Sequence, residues 1–226
     1  MRPGLPVVAC DSRLPGAVFS QGEETMSQRP TIPERIEAER VYLRPYRAGD
    51  GPWYYAMSQR NRAHLLRYEP DNVVMEAHSA EEAESLVREL AAAWAARTCF
   101  FLGAFDRTTD EFVAQIYIGP VDGSLPEFEI GFFAEVDHEG QGYVTEAVQA
   151  MLPFLFGHLG AHRVWLHCDD TNLRSRRVAE RCGFVLEEHI REDKLNPDGT
   201  YSGTLCFGLQ KLELAGIARV NTIEAA

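Results

Sequence analysis

Short apolar runs, some with alternating polar positions, recur along the chain, and each run predicts a β-strand. The run at residues 40–47 alternates around Val41 and Leu43. Polar turns at residues 106–110 and 196–199 each join two such runs, which predicts two β-hairpins. The runs that predict strands are residues 40–47, 99–105, 111–118, 127–134, 163–168, 185–192 and 201–210.

Helical spacing of apolar residues fills the longer segments between these runs. Asp50 as N-cap and Pro52 in the first turn predict the start of a first helix, which we expect to break near Asn61. Ser79 and Glu82 form a capping box ahead of a second helix.

A third helix carries a clear apolar stripe between residues 144 and 155, and Pro153 should kink it because proline removes a backbone donor. Capping residues at 169–172 predict a fourth helix that ends at Gly183. The order is then strand, two helices, three strands, helix, strand, helix and two strands. That order predicts a mixed α/β (α+β) fold with an antiparallel front and a central strand–helix–strand unit.

The length of 226 residues, with 45% hydrophobic and 25% charged residues, fits one globular domain. No apolar run approaches the length of a membrane span, and the start of the chain lacks the continuous apolar core of a signal peptide. We expect a flexible leader over residues 1–30, a single domain over 31–214 and a frayed tail over 215–226.

A net charge of −12 argues against nonspecific nucleic-acid binding, which needs a basic surface. It fits a cationic or amine-bearing partner, although acidity also serves solubility alone. The five cysteines are scattered and contain no Cys-x-x-Cys spacing, so we expect free thiols in a reducing compartment, the cytoplasm.

Candidate chemistry is concentrated in residues 127–147, EFEIGFFAEVDHEGQGYVTEA. A strand, a Gly-x-Gly loop and a helix start follow one another, an arrangement that aims backbone N–H groups and a helix dipole at an anion. This segment predicts a site for a phosphate-bearing cofactor; the alternative is an ordinary turn that needs glycine. Motifs of serine hydrolases, zinc proteases and P-loop enzymes are absent. His158 and His162 are four residues apart, but Gly157 and Gly160 argue against a continuous helical metal face. His167 and Cys168 are adjacent in a strand and so point to opposite faces.

Together with DDTNLRSRRVAERCGF at residues 169–184, this segment resembles the GNAT superfamily of acyl-CoA-dependent N-acyltransferases. Within it, the chain is most similar to the RimJ/RimL branch, which acetylates protein N-termini and, in relatives, small amines. The resemblance covers roughly residues 39–209. It implies a GNAT fold, with a twisted, mostly antiparallel sheet of six or seven strands, four flanking helices and a splay between strands four and five. It also implies acetyl-CoA as the cofactor.

The family's pyrophosphate loop reads Gln/Arg-x-x-Gly-x-Gly/Ala, and this chain departs from it at Glu139 and Val144. An anionic Glu139 beside the phosphates should weaken binding unless it points away or pairs with an arginine. The resemblance assigns cofactor binding to the loop residues Glu139, Gly140, Gln141, Gly142, Tyr143, Val144 and Thr145, to the backbone of Phe132, Phe133 and Ala134, and to Asn172 and Arg177.

Asn172 matches the family's asparagine near the pantetheine arm or thioester, and a plain N-cap is the alternative; both roles are compatible. Arg174, Arg176 and Arg177 are candidates to meet phosphates. Their alternative is a solvated basic helix face.

Glu129 and Ser175 are the implied catalytic residues. A carboxylate on a largely buried strand can accept the amine proton directly or through water, and the alternative is that Glu129 only orients the substrate. Many superfamily members protonate the leaving thiolate with a tyrosine at the position of Ala179. Ser175, three residues after Asn172, resembles the serine of the RimJ/RimL branch and becomes the candidate acid.

The leading hypothesis is an acetyl-CoA-dependent N-acetyltransferase that acts on an α-amine of a protein or peptide. The alternatives are a small-amine acetyltransferase, with an antibiotic or polyamine as acceptor, and a non-catalytic acyl-CoA-binding module. We expect no metal, no membrane association and no direct nucleic-acid binding, and a homodimer remains open.

Overall fold

A sheet of eight strands forms the centre of the molecule in the computed structural model, which describes residues 32–121, 123–196 and 198–211. The predicted leader (1–30) and tail (215–226) lie outside these residues. The strands follow the order β1-β2-β3-β4-β5-β6-β8-β7, and all neighbours are antiparallel except β5 and β6. The strands are β1 (Ile36–Glu37), β2 (Val41–Pro45), β3 (Phe100–Asp106), β4 (Phe112–Val121), β5 (Glu127–Ala134), β6 (Arg163–Asp169), β7 (Val185–Leu195) and β8 (Tyr201–Gln210).

Helices cover both faces of this sheet. A core on one face packs against α3, and a second core on the other face packs against α1 and α2. Along β5 the alternation predicted from the sequence holds, because Ile130 enters the first core and Phe133 the second. The helices are α1 (Gly51–Leu65), α2 (Ala80–Ala96), α3 (Tyr143–Pro153) and α4 (Leu173–Arg181), with short 3-10 turns at Val73–Glu76 and Val136–His138.

The predicted element order and the mixed fold class are confirmed, with two corrections. The short strand β1 was not predicted, because two residues are too few to show an alternating pattern, and it raises the strand count above the expected six or seven. The first helix continues past Asn61 to Leu65. Asn61 is fully buried, its Nδ2 donates to the Met57 carbonyl at 2.9 Å, and its Oδ1 accepts the N–H of Val136 at 2.9 Å. Its side chain thus ties α1 to the turn that follows β5.

Asp50 stands at the N-cap of α1, but its side chain does not cap the helix. The carboxylate instead pairs with Arg44 at 2.6 Å. Glu84 of α2 takes over the cap, since it accepts the N–H groups of Gly49 at 3.0 Å and Gly51 at 3.1 Å. A Cβ at Gly51 would lie 2.5 Å from the Cα of Glu84, so glycine is needed for this approach.

The end of α3 confirms the predicted disturbance at Pro153. The α-helix ends there and a wider π turn, Phe154–His158, follows, with the N–H of Leu159 donating to the Phe154 carbonyl at 3.1 Å. Phe154, Leu155 and Phe156 are all buried in succession. A regular α-helix on a protein surface would turn at least one of three consecutive residues away from the core.

Replacing Asn61 with alanine should destabilise the protein by about 2 kcal/mol, because the N–H of Val136 loses its acceptor and a buried side chain leaves a gap. Urea unfolding followed by circular dichroism measures the change. Gln59→Ala, on the exposed side of the same helix, is the control and should change stability by less than about 0.5 kcal/mol. Equal losses in the two variants would contradict the role given to Asn61.

Candidate active site

The strands β5 and β6 pair over three residues and then separate. The last pair is Glu129 with Trp165. Beyond it, β5 stays paired with β4 as far as Ala134, and β6 stays paired with β8 as far as Asp169. A cleft therefore opens between the two strands, and the backbone groups of residues 130–134 that face β6 have no strand partner. This is the predicted splay.

Phe132, Phe133 and Ala134, the strand residues predicted to bind the cofactor, lie on this open edge. Unpaired backbone N–H and C=O groups on a strand form a template to which an extended ligand with amides can add. The side chain of Phe133 is anchored in the second core, where its ring lies 6.0 Å from that of Phe112. The edge is thus held in place by packing behind it.

The glycine loop follows β5 and leads directly into α3. Gly140 has a φ of 74° and Gly142 a φ of 85°, the left-handed region that favours glycine. In the described part of the chain, the backbone N–H groups of Gln141, Gly142, Tyr143, Val144 and Thr145 have no hydrogen-bond acceptor. These groups and the positive end of the helix dipole are available to an anion.

Val144 departs from the family's small residue without obstructing this loop. Its side chain is buried in the first core. It therefore points away from the space in front of the N–H groups.

Glu139 forms an ion pair with Arg174 of α4. The side chain of Glu139 is 29% exposed and that of Arg174 is 71% exposed. An arginine partner is one of the two conditions under which an acidic residue at this position is compatible with phosphate binding. It also brings a guanidinium group from the β6 side of the cleft to the loop on the β5 side.

Arg40 was not predicted to lie at the site. Its Nη1 donates to the Gln141 carbonyl at 3.2 Å, its Nε pairs with Glu146 at 2.8 Å, and its guanidinium lies 4.7 Å from the ring centre of Tyr143. Arg40 precedes β2, about a hundred residues before the loop. Only the basic character of its side chain could have pointed to it.

The start of α4 carries the remaining predicted residues. Asn172 is the N-cap, and its Oδ1 accepts the N–H of Ser175 at 3.2 Å. Among the described residues, the Nδ2 of Asn172 and the hydroxyl of Ser175 have no partner, so both can meet a ligand. Arg177 is exposed, whereas Arg176 pairs with Glu180 at 2.8 Å.

Two core positions limit the available chemistry. Ala179, where many superfamily members have tyrosine, is fully buried beneath α4. Burial raises the pKa of the Cys182 thiol to about 12, as expected for a core cysteine rather than a nucleophile. Cys168, Cys182 and Cys206 are free thiols, and all of the described cysteines, Cys99 included, are buried.

At the closed end of the cleft, Glu129 meets a histidine that was not predicted as a site residue. The Nδ1 of His167 lies 3.0 Å from a carboxylate oxygen of Glu129, and each side chain is 16% exposed. Two residues earlier on each strand, away from the cleft, the Nε1 of Trp165 donates to Glu127 at 2.8 Å. The sequence showed only that His167 and Cys168 point to opposite faces of their strand.

More carboxylates lie near the open end of β6. Asp169 shares a strand face with His167 and accepts the Ser202 hydroxyl at 2.6 Å. Asp170 pairs with His189 at 2.9 Å, and the N–H of Gly203 followed by that imidazole lowers the pKa of Asp170.

Neither a metal centre nor a membrane-crossing helix occurs in the residues that the structure describes. No group of three or more His, Cys, Asp or Glu side chains there could hold a metal ion. No helix there is long and apolar enough to cross a bilayer.

Curated relatives share part of this sequence. The uncharacterized N-acetyltransferase YnaD of Bacillus subtilis is 25% identical over 157 residues, which cover 70% of this chain and 86% of that protein. The probable N-acetyltransferase YjcK of the same organism is 31% identical over 99 residues, 43% of this chain and 55% of YjcK. The ribosomal-protein-serine acetyltransferase of Escherichia coli is 29% identical over 83 residues, 37% of this chain and 46% of that enzyme. The chain thus spans about half the length of the last two.

Solved structures share the fold. RimJ of Mycobacterium smegmatis, in complex with CoA-disulfide, superposes with a TM-score of 0.70 at 25% identity, covering 80% of this chain and 90% of RimJ. RimL, a ribosomal L7/L12 α-N-protein acetyltransferase in complex with coenzyme A, superposes with a TM-score of 0.69 at 18% identity, covering 78% of this chain and 98% of RimL.

The family model for the acetyltransferase (GNAT) domain matches residues 40–185. This range contains the open edge of β5, the glycine loop, Glu129 with His167, and the start of α4. The chain therefore belongs to the GNAT acetyltransferase family.

Proposed function

We propose that the protein is an N-acetyltransferase that transfers an acetyl group from acetyl-CoA to a primary amine. The cleft between β5 and β6 carries this proposal. Its open end has an anion-binding helix start, its wall is an unpaired strand edge, and its closed end holds Glu129 beside His167. These features match, in order, the pyrophosphate, the amide-bearing pantetheine arm and the thioester of the cofactor.

The reaction is a direct attack of the neutral amine on the thioester carbonyl. A C–N bond forms, the C–S bond breaks, the amine gives up a proton, and the thiolate leaves. At pH 7 an α-amine with a pKa near 8 is roughly a tenth neutral, whereas a lysine side chain is less than about a thousandth neutral. Glu129 lies where proton removal is needed, and Ser175 at the start of α4 supplies a hydrogen bond to the thiolate.

The departures from the family's loop pattern do not favour a non-catalytic module. Arg174 neutralises Glu139, and Val144 points into the core. Asn172 keeps an amide free for the cofactor although it caps α4. The site thus retains cofactor-binding groups and proton-transfer groups together.

The acceptor that we propose is the α-amine of a protein or peptide. The names of the E. coli ribosomal-protein-serine acetyltransferase and of RimL support this class. A small polyamine is the second candidate, because the spermidine N(1)-acetyltransferase of Vibrio cholerae is 33% identical over 67 residues, 30% of this chain and 38% of that enzyme. The carboxylates around the open end of β6 suit either cation.

An acceptor panel tests the function. Free thiol released from acetyl-CoA is followed with a peptide that has a free α-amine, the same peptide acetylated at its N-terminus but containing lysine, spermidine and an aminoglycoside. We expect kcat/KM for the α-amine to exceed that for spermidine by at least about ten-fold. A preference for spermidine would select the second candidate. Tight acetyl-CoA binding without turnover on any amine would indicate a binding module, and no binding would overturn both enzyme hypotheses.

Changing Glu139 to Gln should lower the Kd for acetyl-CoA about three-fold, because the substitution removes a negative charge near the phosphates and releases Arg174. Isothermal titration calorimetry at low salt measures this. Glu180→Gln removes the same charge from an ion pair on α4 with Arg176 and should leave Kd unchanged. Equal tightening in both variants would assign the effect to net charge rather than to the position of Glu139.

Replacing Ser175 with alanine should lower kcat about ten-fold and leave the Kd for acetyl-CoA unchanged, because the thiolate loses one hydrogen bond while the backbone cap to Asn172 remains. Steady-state thiol release and calorimetry separate the two effects. Ser175→Thr keeps the hydroxyl and should retain most of the activity. Unchanged turnover in the alanine variant would remove Ser175 from the mechanism.

A further inference from the structure

We propose that His167 takes the proton from the acceptor amine, and that Glu129 is a positioning residue that holds the imidazole for this step. The inference rests on the N-acetyltransferase function proposed above and sharpens it. It changes the role that the family resemblance gives to Glu129.

The contact between the two side chains fixes the tautomer of His167. An ionised carboxylate can only accept a hydrogen bond, so the Nδ1 of His167, 3.0 Å from Glu129, carries the hydrogen. In the neutral ring the Nε2 atom then has the free lone pair. Within residues 32–121, 123–196 and 198–211, Nε2 has no hydrogen-bond partner. The acceptor side of the imidazole is therefore open.

A second contact fixes the plane of the ring. The imidazole of His167 stacks on the indole of Trp165, with centroids 6.1 Å apart and planes 10° from parallel. The indole is held in turn by its hydrogen bond to Glu127 and by the guanidinium of Arg163, 4.7 Å from the ring centre. The imidazole is thus oriented by a carboxylate at one edge and an aromatic plane on one face.

The strand register places this imidazole at the closed end of the cleft, where β5 and β6 begin to separate. Glu129 and Trp165 form the last pair between β5 and β6, and His167 is two residues further along β6. His167 therefore belongs to the part of β6 that has separated from β5, and it lies on the same strand face as Trp165. Both Glu129 and His167 are mostly shielded from water, with 16% of each side chain exposed.

Glu129 meets the imidazole directly, whereas the guanidinium group of Arg163 lies over the Trp165 ring and pairs with Glu187. Cys206 of β8 lies opposite His167, and burial, followed by the carboxylates of Glu188, Asp193, Glu129 and Glu187, raises the pKa of its thiol. Asp169 follows on the same face of β6. The carboxylates among these groups stabilise the positive charge that forms on the ring when it accepts a proton.

The proton balance of the step is complete. The amine nitrogen bonds to the thioester carbon as its proton moves to the Nε2 atom of His167. The C–S bond then breaks and the thiolate accepts a hydrogen bond from Ser175. The imidazolium returns its proton to solvent after the acetylated product leaves, so no further reactant is needed.

The test compares His167→Gln and Glu129→Gln, with Glu37→Gln as the control. Glu37 lies on the edge strand β1, where it pairs with Arg35 and both side chains are 49% exposed, so the substitution removes the same charge far from the cleft. Thiol release is measured between pH 5.5 and 8.5 with a peptide acceptor that has a free α-amine. Calorimetry with acetyl-CoA checks that each variant keeps its cofactor site.

In the wild-type protein, log kcat/KM should fall toward low pH with a limiting slope of two, one proton each for the amine and the imidazole. His167→Gln should lower kcat/KM about a hundred-fold at pH 7.5 and reduce the slope to one. Glu129→Gln should keep the slope of two but move the imidazole break to lower pH, because the amide accepts the Nδ1 hydrogen without a charge. Glu37→Gln should stay within about two-fold of wild type.

A slope of two retained in His167→Gln would overturn the inference while leaving the acetyltransferase function intact. A wild-type protein that binds acetyl-CoA but acetylates no amine would overturn the function and the proton transfer together. Nitrogen-15 chemical shifts of His167 give a readout that does not depend on turnover. They should show the Nδ1–H tautomer in the wild type and a mixture in Glu129→Gln, and a dominant Nε2–H form in the wild type would contradict the inference.

Discussion

The early end of the β5–β6 ladder is the constraint on which the rest of the structure depends. Three residue pairs join these strands, whereas β5 forms eight pairs with β4 and β6 forms seven with β8. Each strand therefore pairs mainly within its own half of the sheet, β5 with β4 and β6 with β8. The twist of the strands then moves the two halves apart. The glycine loop and α4 follow the two separated ends, so they face each other across the cleft and the pair between Glu139 and Arg174 can form.

The charges of this acidic protein are sorted along that cleft. Guanidinium groups of Arg40 and Arg174 flank the glycine loop, although the chain as a whole carries a net charge of −12. The carboxylate of Glu129 lies at the closed end, which we propose the acceptor amine approaches. A bisubstrate site that takes one anionic and one cationic partner needs such a separation, because a uniform field would repel one of them.

Sequence patterns predicted the strands and helices because alternation, caps and glycines act over neighbouring residues. The glycine loop was found for the same reason, since Gly140 and Gly142 adopt a conformation that few other residues tolerate. Three features were not predictable in this way: the contacts of Arg40, the capping of the α1 N-terminus by Glu84, and the hydrogen bond between Glu129 and His167. Each depends on the register between segments distant in the chain, which periodicity within one segment does not specify.

The π turn after Pro153 lets the two ends of the helix that follows the glycine loop face different directions. The first turn of α3 presents N–H groups that have no acceptor among the described residues, whereas Phe154, Leu155 and Phe156 all enter the core. In an uninterrupted helix, rotating one end to improve its fit would rotate the other by the same angle. The wider turn absorbs that difference in rotational phase. Substitutions that repack the far end of the helix can therefore accumulate without turning the N–H groups of its first turn away from the cleft.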